Sequence, residues 1–149
     1  MTAAPQPHSV LAALLDKFAA AEACWYSSVR PDGRTHLAPI WHVWHENAAF
    51  VVTQRTAVRA RNLAHSTSVS LALPDPMNAL ILEGSAQESP HAVERIRPVF
   101  LAKYDWDIGT DADYGCVIEV TPAKLLAWGE HGEGRWRFEP ASGHWTSIL

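Results

Sequence analysis

Three short runs of strand-forming residues follow one another closely in the first third of the chain. Residues 24–30, 35–44 and 46–53 contain many aromatic and β-branched side chains, which favour strands. The connections between them are only a few residues long, and the Pro-Asp-Gly-Arg sequence at 31–34 suits a tight turn. Because a parallel pair needs a crossover of about a dozen residues, neighbouring strands of this kind pair antiparallel. The spacing therefore disfavours a doubly wound parallel sheet.

The rest of the chain continues as short strands with a small number of helices. Further strands are predicted at residues 68–73, 79–87, 114–120, 123–129 and 135–138. Helices are predicted at residues 9–22, with Ser9 as N-cap, shortly after residue 53, and at 90–104, opened by Pro90. We predict a mainly β (α+β) fold, a small barrel of antiparallel strands with a few peripheral helices.

Two residues mark irregular points in the predicted strands. Pro39 has no N–H to donate, so its strand must lie at a sheet edge or be broken there. A strand opened at this point leaves backbone groups available to a ligand. Gly84 indicates a bulge or a close approach of another backbone.

Composition limits the classes of function that are open to the chain. Its 149 residues, 48% of them hydrophobic, predict one domain, residues 1–149, with a substantial core. The formal net charge of −4 gives no support to nucleic-acid binding. No apolar run approaches the roughly 20 residues that span a bilayer, and the first helix does not resemble a signal peptide, so we expect a cytoplasmic protein without a membrane partner. Cys24 and Cys116 match no metal or redox spacing and are interpreted as buried thiols.

Three arginines crowd the predicted start of the short helix, within residues 53–63. With Thr56 as N-cap, Arg59 occupies the position where a capping box would place Glu or Gln. Cations at a helix N terminus cost about 0.3–1 kcal/mol. Charge-assisted hydrogen bonds to a phosphate contribute roughly 1.5–3 kcal/mol each and outweigh that cost. From the residues alone, a phosphate site at Arg55, Arg59 and Arg61 and a solvated basic face both remain open.

Histidines and tryptophans around the second strand are further candidates. His36 and His42 share a face of that strand, but His45 falls in the following turn. No acidic or cysteine residue has a fixed spacing to them, so a metal site is disfavoured. His42 is placed where it can touch a ligand. Trp41 and Trp44 are predicted on opposite faces of the strand, where packing in the core or at a dimer interface is the favoured role.

The order of these segments resembles the pyridoxamine 5′-phosphate oxidase-like split β-barrel family of flavin-binding proteins. The likeness covers roughly residues 23–128. The motifs that carry it are the Asp-Gly-Arg turn leading to Pro-x-Trp, a threonine ending the third strand, a basic residue three places before Asn62-Leu63, and Glu-Gly-x-Ala at 83–86. Residues 99–107 and 122–129 continue it. Each motif is weak by itself, and their order and spacing together indicate the family.

This resemblance implies a homodimer with two cofactors at the subunit interface. The cofactor would be FMN or, in related branches, an 8-hydroxy-5-deazaflavin coenzyme. The cofactor-binding residues that it implies are Pro39, Ile40 and Trp41 along the ring system, Thr53 after the third strand, Arg59 as the phosphate ligand, and the neighbours Arg55, Thr56, Arg61 and Asn62.

Two departures separate the chain from the family pattern. Arg59 stands where the family usually has lysine, and since a guanidinium also grips phosphate, binding should survive with a different cofactor preference. The chain ends in Ser-Gly-His-Trp-Thr-Ser-Ile-Leu and lacks the Arg-Leu-x-Pro motif that reads the substrate in the oxidase itself. We therefore expect an FMN-dependent oxidoreductase for a small molecule other than pyridoxamine phosphate, with no catalytic side chain nominated. The alternatives are a deazaflavin-dependent reductase and a non-catalytic flavin-binding protein.

Overall fold

The computed structural model describes residues 7–148, which form three α-helices and nine β-strands. The helices are α1 (Pro7–Ala20), α2 (Val58–Asn62) and α3 (Val93–Tyr104). The strands are β1 (Cys24–Val29), β2 (Thr35–Ile40), β3 (Val43–His45), β4 (Ala48–Thr53), β5 (Ser68–Ala72), β6 (Ala79–Glu88), β7 (Cys116–Trp128), β8 (Gly134–Glu139) and β9 (His144–Ser147). Short 3₁₀ turns at Pro90–Ala92 and Ile108–Thr110 flank α3.

All nine strands belong to one antiparallel sheet. The order along the main path is β2-β1-β5-β6-β7-β4-β3, while β8 adds to β7 and β9 to β8. The sheet curls into a half-barrel, with the few helices outside it, so the predicted split β-barrel is confirmed. None of the helices within residues 7–148 is long and apolar enough to cross a bilayer.

Two hydrophobic clusters lie on opposite faces of β4. Successive residues of a strand point to opposite faces, and every residue of β4 is buried. Ala49 and Val51 therefore join the barrel core beneath α1, whereas Phe50 and Val52 pack in a second cluster with α3. The strand between these two layers fixes where the C-terminal end of α3 lies relative to the barrel.

The structure confirms both irregular points that were predicted in the strands. Strand β2 forms one end of the sheet, as Pro39 requires. The register between β6 and β7 shifts at Gly84, where an added Cβ would lie 2.4 Å from the Thr121 carbonyl oxygen. Each feature was predicted from one residue, the edge strand from Pro39 and the close approach from Gly84. Cys24 and Cys116 are buried free thiols, also as predicted.

Some predicted boundaries were wrong. Helix α1 already includes Pro7, so Ser9 lies inside it and is not its N-cap. The strand predicted at residues 35–44 is interrupted after Ile40 and continues as β3. Residues 114–120 and 123–129 are not two strands, because β7 runs through Pro122, which lies opposite Gly84 at the bulge. The short strand β9 was not predicted.

Candidate functional site

A cavity of about 670 Å³ opens between the end of β2, helix α2 and the segment that follows α3. Its volume lies within the range of about 300–1,000 Å³ that is common for small-molecule sites. It is lined by Ala23, Pro39, Ile40, Trp41, Val52, Arg59, Tyr104, Asp105, Trp106, Asp111 and Tyr114. The lining thus combines aromatic and apolar walls with one guanidinium group and two carboxylates.

Arg59 supplies the cation of the cavity. Its Nη2 donates a hydrogen bond to the Pro39 carbonyl oxygen at 3.2 Å, and its guanidinium lies 5.7 Å from the Tyr26 ring centroid. Its Nε is buried without a hydrogen-bond partner among the described residues. Burial lowers the pKa of Arg59, although a guanidinium remains charged at any ordinary pH. A buried donor of this kind fits an anionic ligand, since a phosphate would satisfy it and offset the desolvation cost.

Trp41 and Tyr104 form a stacked wall on another side of the cavity. Their ring centroids are 4.4 Å apart and the planes differ by 2°. Trp41 is 45% exposed, so part of its ring surface remains open to a ligand. A flat tricyclic ring finds in such a wall a surface on which it can stack. The residues present therefore fit both parts of a flavin nucleotide, the phosphate at Arg59 and the ring at Trp41.

The connection between β2 and β3, which carries Trp41, is held by the end of α3. The Tyr104 hydroxyl donates to the Glu22 carbonyl oxygen at 2.6 Å and accepts from the His42 backbone N–H at 3.0 Å. Lys103 Nζ donates to the His42 carbonyl oxygen at 2.7 Å, and burial lowers the pKa of Lys103 to about 8. These contacts fix the backbone on one side of Trp41 and so position its ring.

The structure brings four of the predicted cofactor-binding residues together in the cavity lining, and they are Pro39, Ile40, Trp41 and Arg59. Two others are buried outside the lining. Thr53 is one residue beyond Val52, which does line the cavity, and therefore faces the opposite side of β4. Asn62 Nδ2 donates to Ser28 Oγ at 3.0 Å and ties α2 to β1.

Arg55, Thr56 and Arg61 are exposed and do not line the cavity. The prediction that Thr56 caps α2 was wrong, because Ala57 occupies the N-cap and its side chain accepts no hydrogen bond. Arg55 forms a salt bridge with Glu88, and its Nη2 also donates to the Gly115 carbonyl oxygen at 3.1 Å. The three arginines therefore do not converge on one point in this structure, and Arg59 alone enters the cavity.

The histidine expectations need a correction at His42. Its side chain is fully buried, and Nε2 donates to the Phe18 carbonyl oxygen at 2.7 Å. Burial lowers the pKa of His42 to about 4, so the ring is neutral at physiological pH. His42 is a core residue, and the expectation that it touches a ligand was wrong. Among residues 7–148, no group of three or more His, Cys, Asp or Glu side chains is arranged to hold a metal ion.

Of the two tryptophan predictions, the one for Trp44 agrees with the structure and the one for Trp41 does not. Trp44 is half-buried and packs edge-on against Phe18, which agrees with its predicted packing role. Trp41 does not lie on the same strand, because it sits in the connection between β2 and β3.

Sequence reasoning missed the residues that close the cavity after α3. They are Tyr104, Asp105, Trp106, Asp111 and Tyr114. The available signal was the density of aromatic and acidic residues at 104–114, which is unusual for a surface loop. This segment has no helical or strand period, so the sequence did not show which of its side chains point inward.

Comparison with protein-family models matches residues 11–129 to the family described as pyridoxamine 5′-phosphate oxidase. No curated protein matches the chain by sequence. The match to the family model covers most of the chain and includes every residue of the cavity lining.

Several solved structures share the fold. A heme-binding protein from Mycobacterium smegmatis superimposes with a TM-score of 0.71 at 15% identity, over 99% of this chain and 59% of that one. A pyridoxamine 5′-phosphate oxidase-related, FMN-binding protein from Nostoc punctiforme gives 0.63 at 14% identity, over 99% and 97% of the two chains. An F420 reductase gives 0.61 at 19% identity, over 74% and 94%.

Proposed function

Because this chain belongs to the pyridoxamine 5′-phosphate oxidase-like family, we propose that it is an oxidoreductase that binds FMN in the cavity beside Arg59. The observation that carries the proposal is the Arg59 guanidinium, which lines an aromatic cavity with its Nε buried and unpartnered among residues 7–148. A phosphate satisfies such a group best, since a guanidinium matches its oxygens in a planar, two-pronged geometry.

The roles of the lining residues follow from their places. Arg59 would hold the phosphate, and the backbone from Pro39 to Trp41 would lie along the ring. The Trp41–Tyr104 stack would keep one side of the ring dry, because both rings exclude water. FMN, when bound, supplies hydride and single-electron transfer. We assign no side chain as acid or base, since the redox chemistry would be supplied by FMN.

A deazaflavin coenzyme is the second candidate cofactor. It has the same arrangement of phosphate and tricyclic ring, and an F420 reductase shares the fold. Arg59 in the place of the family's usual lysine favours a change of cofactor, because the two side chains grip phosphate with different geometry. Direct competition between the two cofactors for the cavity separates these candidates.

We also propose that the protein is a homodimer. The outer face of the sheet exposes large apolar side chains on β1, β2 and β7, with Trp25 41%, Leu37 61% and Trp128 48% exposed. Trp25 lies opposite Pro39 of β2 and Ala72 of β5 in the sheet, so this exposed surface continues to the strand that borders the cavity. A second copy that covers it would place the cavity close to the subunit interface.

The test is to purify the full chain and identify whatever small molecule copurifies, by its absorbance spectrum and mass. The ligand-free protein is then titrated with FMN and with the deazaflavin coenzyme, separately and in competition, while light scattering gives the molar mass. We expect saturable binding of one of the two, with a twofold multiple of the 16.4 kDa chain mass. Binding of neither cofactor would overturn the proposal.

Turnover separates the enzyme from a flavin-binding protein without activity. The loaded protein is mixed with a chemical or nicotinamide reductant and then with a panel of electron acceptors, and the flavin spectrum is followed. An oxidoreductase passes the electrons on and returns to the oxidised spectrum without oxygen. A protein that binds the cofactor tightly and transfers electrons to no acceptor would instead be a carrier or sensor.

A further inference from the structure

The cavity wall contributed by Trp41 and by the segment after α3 includes two rings, Trp106 and Tyr114, and two carboxylates to which the proposed FMN site gives no role. We call it the aromatic wall, and it consists of Trp41, Tyr104, Trp106 and Tyr114. Two carboxylates, Asp105 and Asp111, line the cavity beside it. Anionic groups at this place would weaken the binding of a second anion and favour a ligand of opposite charge.

The rings of the aromatic wall face in more than one direction. Trp106 lies 6.1 Å from Trp41 at an interplanar angle of 72°, and 5.5 Å from Tyr114 at 90°. A cation is attracted to an aromatic face within about 6 Å of the ring centroid. Trp41 and Tyr114 are 45% and 39% exposed, so part of each ring surface remains open to a cation. Tyr104 already contacts the ammonium of Lys103, whose Nζ lies 5.1 Å from the ring centroid.

The two carboxylates are not neutralised within the described part of the chain. Asp111 accepts hydrogen bonds from Trp106 Nε1 at 3.0 Å and from the Asp113 backbone N–H at 3.2 Å, which hold the carboxylate against the aromatic wall. Neither Asp105 nor Asp111 forms a salt bridge with any residue between 7 and 148. Both negative charges therefore remain available to a ligand.

Arg59 is not the counter-ion of these carboxylates. No salt bridge joins Arg59 to Asp105 or Asp111 among residues 7–148. The cavity thus keeps its positive and negative groups apart, and a phosphate at Arg59 would leave the carboxylates unpaired.

We propose that the aromatic wall, with Asp105 and Asp111, binds a substrate that carries a positively charged nitrogen. The rings attract the cation through their negative faces, and the carboxylates add direct charge attraction. The inference rests on the proposed function where it takes this cation as the substrate of the flavin. The recognition itself depends only on residues of this chain.

The test compares choline with its neutral carbon isostere, 3,3-dimethylbutan-1-ol, which has the same shape without the charge. Both are titrated into the full chain, with and without FMN, and binding is followed by the NMR signal of the Trp106 indole N–H. A Trp106→Phe variant identifies that signal. We expect choline to shift it and to bind at least about tenfold more tightly than the isostere. Equal affinities for the two probes would overturn the inference.

Charge-removing variants locate the effect. Asp111→Asn keeps an oxygen that can accept from Trp106 Nε1, and Asp105→Asn changes an exposed residue, so both should fold. Each should reduce the preference for choline several-fold. Asp113→Asn is the matched control, since Asp113 is exposed in the same loop and outside the lining, and it should leave the preference unchanged. A preference that survives in both lining variants would contradict the inference.

The same samples separate this inference from the proposed function. Normal FMN binding without preference for choline would overturn the cation site alone. Preference for choline in a protein that binds neither FMN nor the deazaflavin coenzyme would overturn the proposed function and leave the cation site standing.

Discussion

Arg97 and Arg59 are both half-buried arginines, but only Arg97 is paired with a carboxylate. Arg97 faces a carboxylate of its own chain, with Nε 2.7 Å from Asp107 Oδ1 and Nη2 3.0 Å from Oδ2. These bonds raise the pKa of Arg97. Arg59 contacts one backbone carbonyl oxygen, its Nε has no partner among the described residues, and burial lowers its pKa.

The difference between the two arginines separates a structural role from the binding role that we propose for Arg59. Asp107 also accepts from the Gly109 backbone N–H at 3.0 Å, so the Arg97–Asp107 pair fixes the turn that leads out of α3. Buried polar groups in folded proteins nearly always have partners. An arginine that lines a cavity while its Nε lacks one supports the proposal that a ligand completes its hydrogen bonds.

The largest effect is expected from Arg59→Ala. Two charge-assisted bonds to a phosphate, at roughly 1.5–3 kcal/mol each, together contribute about 4 kcal/mol. We therefore expect FMN to bind about a thousandfold more weakly to the variant, measured by fluorescence titration. Without ligand, the substitution removes a buried unpaired donor, so the free energy of unfolding should change by less than about 1 kcal/mol.

Arg61→Ala is the matched control, because Arg61 is exposed on the same helix and outside the cavity lining. It should bind FMN as the parent does. If the two variants lost the same affinity, the phosphate would be held by the general positive charge of α2, and the contrast between Arg59 and Arg97 would lose its meaning.

His42 adds a third case to the comparison, because it is a buried side chain with an unpartnered atom but does not line the cavity. Its Nδ1 is unpartnered among the described residues, and its ring lies in the core. The pKa of His42 is about 4 in the folded state against 6.5 for the unperturbed group, so the unfolded chain binds more protons between these values. Stability should therefore fall as the pH falls from about 6.5 to about 4, by roughly 3 kcal/mol in urea unfolding.

His42→Asn removes the titration and keeps an N–H that can donate. We expect the part of the pH slope that belongs to His42 to disappear, whatever the stability of the variant at neutral pH. His65→Asn changes an exposed histidine and should keep the slope of the parent. A slope that is the same in His42→Asn and the parent would show that other groups cause it.

Much of the fold could be predicted because local chemistry and tertiary structure agree. Pro39 predicted an edge strand and Gly84 a close backbone approach, and both are met, by the place of β2 at one end of the sheet and by the register shift between β6 and β7. The prediction failed where tertiary context overrides a local rule. Two strands were predicted at residues 114–120 and 123–129, but the bulge opposite Gly84 accommodates Pro122 and β7 continues. Strand β9 is only four residues long and forms by pairing with β8.

The site was less predictable than the fold, because its residues come from segments far apart in the chain. Pro39 and Arg59 each belong to a short sequence motif, so both could be found without knowledge of the fold. Thr53 was predicted as a cofactor-binding residue, and in the structure its neighbour along β4, Val52, is the residue that lines the cavity. Asp111 and Tyr114 lie in a loop without periodicity, so only the folded chain shows that they close the cavity.

The smallest effect is expected at Arg55, which tests whether the pairing in this structure persists when a ligand binds. Arg55 is exposed and paired with Glu88, and an exposed ion pair contributes little to stability. If it stays paired, Arg55→Ala should change FMN affinity by less than about threefold, a difference of about 0.7 kcal/mol. Glu88→Gln, which frees Arg55 without removing it, should then leave the affinity equally unchanged. A tenfold loss in Arg55→Ala, with a gain in Glu88→Gln, would mean that Arg55 leaves Glu88 for the phosphate. In that case a paired arginine would also serve in binding, and the presence of a partner would no longer separate the two roles.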